Sequence, residues 1–283
     1  MKLIQDKTFG GERPLFESHG VRLERVTITE GESGIKECSD IECDDCHFIG
    51  KYPLWHVEHS VITRCLFDPG SRSAIWYSNN MMMSDTVINA PKFFREMNNL
   101  SLERVTVNDA DETFWNIHGL RLRDVTMREG AYPFMGCTDV DIDGLVCESK
   151  YVFQYVKNVV IRNARITTKD AFWEVENVTV IDSVIDGEFL GWHSKNLRLI
   201  NCHISGQQPL CYARDLVLEN CTFGADSDLM FEYSTVTADI RGHVVSIKNP
   251  AGGKVVVDSV GEIIIDANIK KETDCEITCR KSI

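Results

Sequence analysis

The sequence predicts an all-β fold, a single-stranded right-handed parallel β-helix. This solenoid has about 12 coils of 19–21 residues with three short strands per coil. Three observations predict it. An octamer recurs at nearly constant spacing, a strand-type alternation inside it slips by one residue midway, and a Gly/Pro/Asp-rich turn separates successive copies.

The octamer reads VRLERVTI at 21–28, IECDDCHF at 41–48, SVITRCLF at 60–67, MMMSDTVI at 81–88, LSLERVTV at 100–107 and LRLRDVTM at 120–127. It continues through VDIDGLVC, VVIRNARI, VTVIDSVI and LRLINCHI to LVLENCTF at 216–223, and a degraded copy starts at Thr235. Successive starts lie 20, 19, 21, 19, 20, 20, 19, 19, 19, 19 and 19 residues apart, too regular for chance. Positions 1, 3 and 8 are almost always apolar, position 6 is smaller, and position 5 is polar or Gly, as in Arg25, Asp45, Gly144 and Asn201. Positions 1 and 3 alternate as a strand does, and positions 6 and 8 resume the alternation one residue out of phase. Two short strands joined by a bend at positions 4 and 5 explain the slip; a helix would need a period of 3.6 residues, which is absent.

A third segment precedes each octamer and reads apolar, variable, polar, small, as in Leu15-Phe16-Glu17-Ser18, Leu54-Trp55-His56-Val57 and Phe172-Trp173-Glu174-Val175. The turns before it include GKYP, DPGS, REGAYP and SGQQP. No coil buries its own apolar face, but stacked coils do so with equivalent residues about 4.8 Å apart. Parallel crossovers favour the right-handed sense. A leucine-rich repeat would need a helical or asparagine-ladder segment, which the coils are expected to lack. Residues 1–283 read as one β-helix domain: 1–20 cap the first coil and begin the repeat, 21–234 are regular, and 235–283 form irregular final coils and a cap. A turn falls at Asn249-Pro250-Ala251-Gly252-Gly253, and the charged tail after 266 closes the end.

The formal net charge of −13 argues against nucleic acid, whose phosphates need Lys and Arg. No window approaches the ~20 apolar residues of a membrane span. The opening MKLIQDKTFGGERPLF lacks the apolar stretch of a secretory signal, so the expected location is cytoplasmic. Of the eleven cysteines, Cys43, Cys46, Cys65, Cys147, Cys202 and Cys221 fall at inward octamer positions, and Cys38 and Cys137 at the inward small position of the third segment. They read as small core hydrophobes. Cys43 and Cys46 form a C-x-x-C with no second ligand pair nearby, so neither a metal nor another cofactor is expected.

The third segment carries the candidate site. Its variable position includes Lys36, Trp55, Trp76, Arg95, Trp115, Gln154 and Cys211, and its polar position includes Glu37, His56, Tyr77, Glu96, Tyr155, Glu174, His193 and Tyr212. The charged members suggest that both positions face outward. One face would then carry all five tryptophans beside a line of carboxylates, imidazoles and phenols. A functional reading makes Trp55, Trp76 and Trp115 platforms for sugar rings. Glu37, His56 and Glu96 then serve as acid/base groups, Tyr77 adds a binding contact, and Lys36, Arg72 and Arg95 hold an anionic substrate. The competing reading packs the tryptophans under the turns and leaves the polar column to solvate a sheet face.

The stretches GGERPLF (10–16), GESGIKE (31–37), KYPLWH (51–56), RSAIWY (72–77) and SIKNPAGG (246–253) together resemble a bacterial family of domains of unknown function with a right-handed parallel β-helix, within the pectate-lyase-like superfamily. The resemblance spans the chain and implies the fold. It implies no activity and offers no catalytic residues to carry over. The aspartate motifs of polygalacturonases and the calcium-ligand pattern of pectate lyases are missing. Two functions follow as expectations. One is binding of a saccharide or other polar metabolite, with hydrolase, lyase or isomerase chemistry left open. The other is a non-enzymatic solenoid scaffold for a protein partner or for self-association as a homo-oligomer.

Overall fold

A computed structural model describes residues 1–268 and 273–280. The chain is a parallel β-solenoid, and no helix occurs among the described residues. It divides into two compact units, residues 1–149 and 150–283. Parts of the expected terminal cap, residues 269–272 and 281–283, lie outside the described residues.

In the first unit the octamers form parallel ladders at the predicted register, with Val21 opposite Ile41, Ile41 opposite Ser60, Ser60 opposite Met81 and Met81 opposite Leu100. In the second unit Val159 pairs with Val178 and Val178 with Leu197. The degraded copy enters one residue late, Leu216 pairing with Val236, and a bulge restores the 19-residue step by Cys221 and Ile240. The final coils are irregular: Thr235 pairs with Gly252, 17 residues on, and Val257 with Cys279, 22 residues on.

The bend at position 5 is a left-handed corner. Arg25, Asp45, Arg64, Asp85 and Arg104 hold φ between 50° and 53°. Such a conformation is costly for a residue with a Cβ, least so for Asn and Asp. A backbone hydrogen bond to the next coil offsets that cost at each corner. Asp45 N–H donates to the Thr63 carbonyl at 3.0 Å, and Arg64 N–H to that of Ser84 at 3.1 Å. Side chains stack along these corners as well. At position 5 Asn220 donates to Asn201 at 3.0 Å, and in a separate left-handed column just before the octamer Asn177 donates to Asn158 at 3.2 Å and Asn196 to Asn177 at 2.9 Å. The coils therefore do carry asparagine ladders, placed at left-handed corners rather than in the segment a leucine-rich repeat would use.

The core is built from stacked equivalents. The Phe94 and Phe114 rings lie 5.0 Å apart and 3° from parallel, and Phe153 and Phe172 lie 5.2 Å apart at 5°. These separations match the coil spacing of about 4.8 Å. The eight cysteines expected inside are all buried and free. Burial raises the Cys137 and Cys147 thiols to about 12.

The third segment departs from the three-strand expectation after the first coils. Ile35, Leu54 and Ile75 are extended and begin two-residue strands. Their equivalents Phe94, Phe114, Phe153 and Phe172 have φ between 57° and 60°. The second Cβ substituent of Ile35 and Ile75 resists that conformation more than the single one of Phe does, and Leu54 is extended without that restriction. In the second unit the segment is consequently a turn rather than a strand.

Candidate functional site

The polar position of the third segment is a second left-handed column. Glu37, His56, Tyr77 and Glu96 have φ of 54–58°, as do Tyr155, Glu174 and His193, with Tyr212 at 59°. Each residue's N–H donates to the carbonyl of the variable position one coil on, as in His56 to Trp76 at 3.2 Å and Tyr212 to Glu232 at 2.7 Å. The corner turns these side chains outward, and the ladder fixes their spacing.

In the first unit, Glu37, His56, Tyr77 and Glu96 are exposed on consecutive coils, as the sequence suggests. The His56 ring stacks on Tyr77 with centroids 5.2 Å apart and planes 24° from parallel. Glu96 accepts a 2.6 Å hydrogen bond from Asn116. The neighbouring tryptophans are half-buried, and each has at least one indole face covered. Trp55 lies on Trp76 at 5.6 Å and 14°. The Arg95 guanidinium sits 4.6 Å from Trp76 and 4.2 Å from Trp115, and Lys36 Nζ is 5.9 Å from Trp55. A separation near the coil spacing leaves no room for a sugar between rings. The indole N–H groups of Trp55, Trp76 and Trp115 donate to the turn carbonyls of Ser73, Lys92 and Tyr132 at 2.8–2.9 Å. The tryptophans therefore clamp the turns, which weighs against platform roles for Trp55, Trp76 and Trp115.

The expected anion-holding residues are similarly engaged. Arg95 donates to Glu112 at 2.8 Å and Lys92 approaches the same carboxylate at 3.2 Å. Burial pushes the Glu112 carboxyl up, but these two cations outweigh it and hold the group below its usual range. Lys36 lies against Trp55, and only Arg72 remains exposed, on the turn. The outward column is also interrupted: Gln154 and Cys211 are buried, because their side chains reach under the turns to the backbone of Asp170 and of Gln208 and Pro209.

The second unit forms a concavity of about 520 Å³ on the same column. Tyr155, Glu174, His193 and Tyr212 line it, together with Lys157, Glu176, Lys195 and Arg214 from two residues further along each coil. His193 stacks on Tyr212 at 5.1 Å and 16°. Beneath them Trp173 and Trp192 are stacked at 5.7 Å and 2°, with N–H groups donating to the Phe189 and Gln208 carbonyls at 3.0 and 2.9 Å. The Tyr212 hydroxyl donates to Glu232 at 3.5 Å, and Glu232 in turn pairs with Lys248 at 3.0 Å. Burial first, and the Glu232 carboxylate next, raise the Tyr212 phenol above its ordinary value. Glu176 is gripped by Lys195 at 3.1 Å and by Lys157 at 3.5 Å, which lower its pKa, Lys195 most. Glu174 makes no side-chain hydrogen bond or ion pair among the described residues, so its carboxylate is available to a ligand hydroxyl or proton.

Sequence reasoning placed Tyr155, Glu174, His193 and Tyr212 on the right column but favoured its first-unit stretch. It missed Lys157, Glu176, Lys195 and Arg214. Their signal was available as charged residues recurring at 19-residue intervals, where the same column of the first unit has Ser39, Glu58, Asn79 and Asn98. A larger hollow of about 690 Å³ lies in the first unit among the Gly31, Gly50 and Gly70 turns, with Glu30, Glu32 and Asp68 at its rim. It has no aromatic surface, so the concavity with converging rings and polar groups is the better site. No group of three or more His, Cys, Asp or Glu able to hold a metal ion occurs among the described residues, nor any helix long and apolar enough to cross a membrane.

Several solved structures are similar in chain path. The Streptococcus pneumoniae surface protein and adhesin PfbA is 10% identical with a TM-score of 0.41, over 97% of this chain and 91% of that one. The A-module of an Azotobacter vinelandii mannuronan C-5 epimerase is 12% identical with a TM-score of 0.37, over 99% and 89%. A tailspike protein of E. coli bacteriophage HK620, solved in complex with a hexasaccharide, is 9% identical with a TM-score of 0.34, over 92% and 67%. No curated protein matches the chain. The family model described as protein of unknown function, DUF3737, matches residues 2–278, and the chain belongs to that family.

Proposed function

We propose that the chain binds a saccharide or saccharide-like polar ligand in the second-unit concavity. The observation that carries this reading is the His193–Tyr212 stack at the floor of a space of about 520 Å³, beside the unpaired Glu174 carboxylate. Pockets that hold small ligands have volumes of about 300–1,000 Å³ and combine ring surface with a few placed polar groups. The stacked imidazole and phenol supply ring edges and hydrogen-bonding atoms, Tyr155 supplies an exposed phenol, and Glu174 supplies an acceptor. Glu174 and His193 stand on adjacent coils, which suits a general acid/base pair acting on a hydroxyl or a glycosidic oxygen.

Calorimetric titration of the full chain with a panel of neutral and charged mono- and disaccharides tests the reading. Binding to wild type is expected, and its loss in His193→Ala and Tyr212→Ala with an unchanged unfolding midpoint. Equal binding by wild type and both variants would move the site elsewhere.

A further inference from the structure

We infer that the ligand of this concavity is anionic, a saccharide bearing a carboxylate or a phosphate, and that Arg214 with Lys195 receives its charge. The inference rests on the reading above and adds the ligand's charge to it.

Three observations converge. The chain carries a net charge of −13, yet this lining sets three cations, Lys157, Lys195 and Arg214, against two carboxylates, Glu174 and Glu176. The cations are not used alike. Glu176 occupies both lysines, whereas the Arg214 guanidinium has no ion pair among the described residues. The register then places Arg214 directly opposite Lys195 on adjacent coils. Like charges facing each other across a ladder destabilise it. At a spacing of about 4.8 Å, one anionic group bridges both and removes that repulsion. The planar guanidinium fork also matches the two oxygens of a carboxylate or phosphate.

The cation column is not a requirement of the fold. At the equivalent first-unit positions Ser39 pairs with Glu58, Glu58 with Asn79 and Asn79 with Asn98, with His19 and His118 at either end of the run, and none is Lys or Arg. The charge therefore belongs to this site.

The test titrates the full chain with methyl glucuronoside, its methyl ester, methyl glucoside and glucose 6-phosphate. The acid or the phosphate is expected to bind about tenfold or more tightly than the neutral ester, with the preference shrinking as salt rises. Whichever of the two is preferred identifies the anionic group. Arg214→Gln is expected to bring the charged-to-neutral affinity ratio close to one while leaving the unfolding midpoint unchanged. If the ester binds as well as the acid and the phosphate, or if Arg214→Gln preserves the preference, the inference is overturned while the saccharide reading stands. If no sugar in the panel binds wild type, both fail together.

Discussion

His193 lies flat on Tyr212, ring centroids 5.1 Å apart, and His56 lies on Tyr77 in the same relation at 5.2 Å. Both pairs stand at left-handed corners one coil apart, so the stack follows from the column and not from a ligand. What differs is the setting. The second-unit pair adjoins cations and a tyrosine–glutamate contact; the first-unit pair has Glu58 and Asn79 beside it.

The tyrosine contact makes a titration prediction. Tyr212 ionises above its ordinary 10.0 because burial and then Glu232 disfavour the phenolate. Replacing Glu232→Gln removes the charge but not the burial. The Tyr212 pKa is expected to fall toward 10.0 without reaching it, followed by carbon NMR of the tyrosine ring. An unchanged titration would show that Glu232 does not act on the phenol.

Arg95 is predicted to be structural. Its guanidinium touches Trp76 and Trp115 and pairs with Glu112, and its side chain is only 18% exposed. Arg95→Ala should lower unfolding free energy by about 2 kcal/mol, from two cation–π contacts and a weakened partner for Glu112. Arg95→Lys should recover less than half of that, since an ammonium cannot lie flat between two indoles. Urea unfolding measures both, and full recovery by lysine would refute the sandwich argument.

Three equivalent serines should respond with opposite signs. The buried Ser78 and Ser234 hydroxyls donate to the Leu54 and Leu210 carbonyls at 3.3 and 2.7 Å and accept from Val57 and Ala213 N–H groups. Ser194 is equally buried, but its hydroxyl has no partner among the described residues. Ser194→Ala is expected to stabilise the chain by about 1 kcal/mol, and Ser78→Ala or Ser234→Ala to destabilise it by about 1–2 kcal/mol. The same sign at all three positions, read by thermal or urea unfolding, would contradict the hydrogen-bond assignment.

The buried thiols set an alkaline limit. Cys137, Cys147 and Cys211 are raised from 9.0 to about 12, chiefly by burial. A raised pKa means that the folded state keeps the proton longer than the unfolded state. The contribution is therefore complete below 9.0 and is lost as pH climbs from there toward 12. Each thiol adds up to about 1.4 kcal/mol of loss per pH unit in that window. Cys147→Val should flatten the decline in a series of unfolding midpoints taken at increasing pH, and an unaltered slope would count against the assignment.

Much of this architecture was legible because a solenoid repeats its constraints. Position 5 read as a bend from Arg25 to Asn220, and the inward cysteines read as core, since a 19–21-residue period leaves each column one environment. Ring orientation was not legible. That Trp55 and Trp76 share a column says nothing about where their faces point, and coil spacing turns those faces onto each other. Nor was the local conformation of the third segment legible, where Phe94 takes a left-handed φ that Ile75 does not. The Lys195–Arg214 pair stayed hidden because it lies between the third segment and the octamer, in a stretch read only as polar.

The most direct test of the account is the ring-carbon NMR spectrum of the eight histidines during titration with the tightest-binding saccharide of the panel. The site assignment predicts that His193 shifts with saturation while His56 stays fixed. A shift at His56 with His193 unmoved would place the site on the first unit and contradict the account.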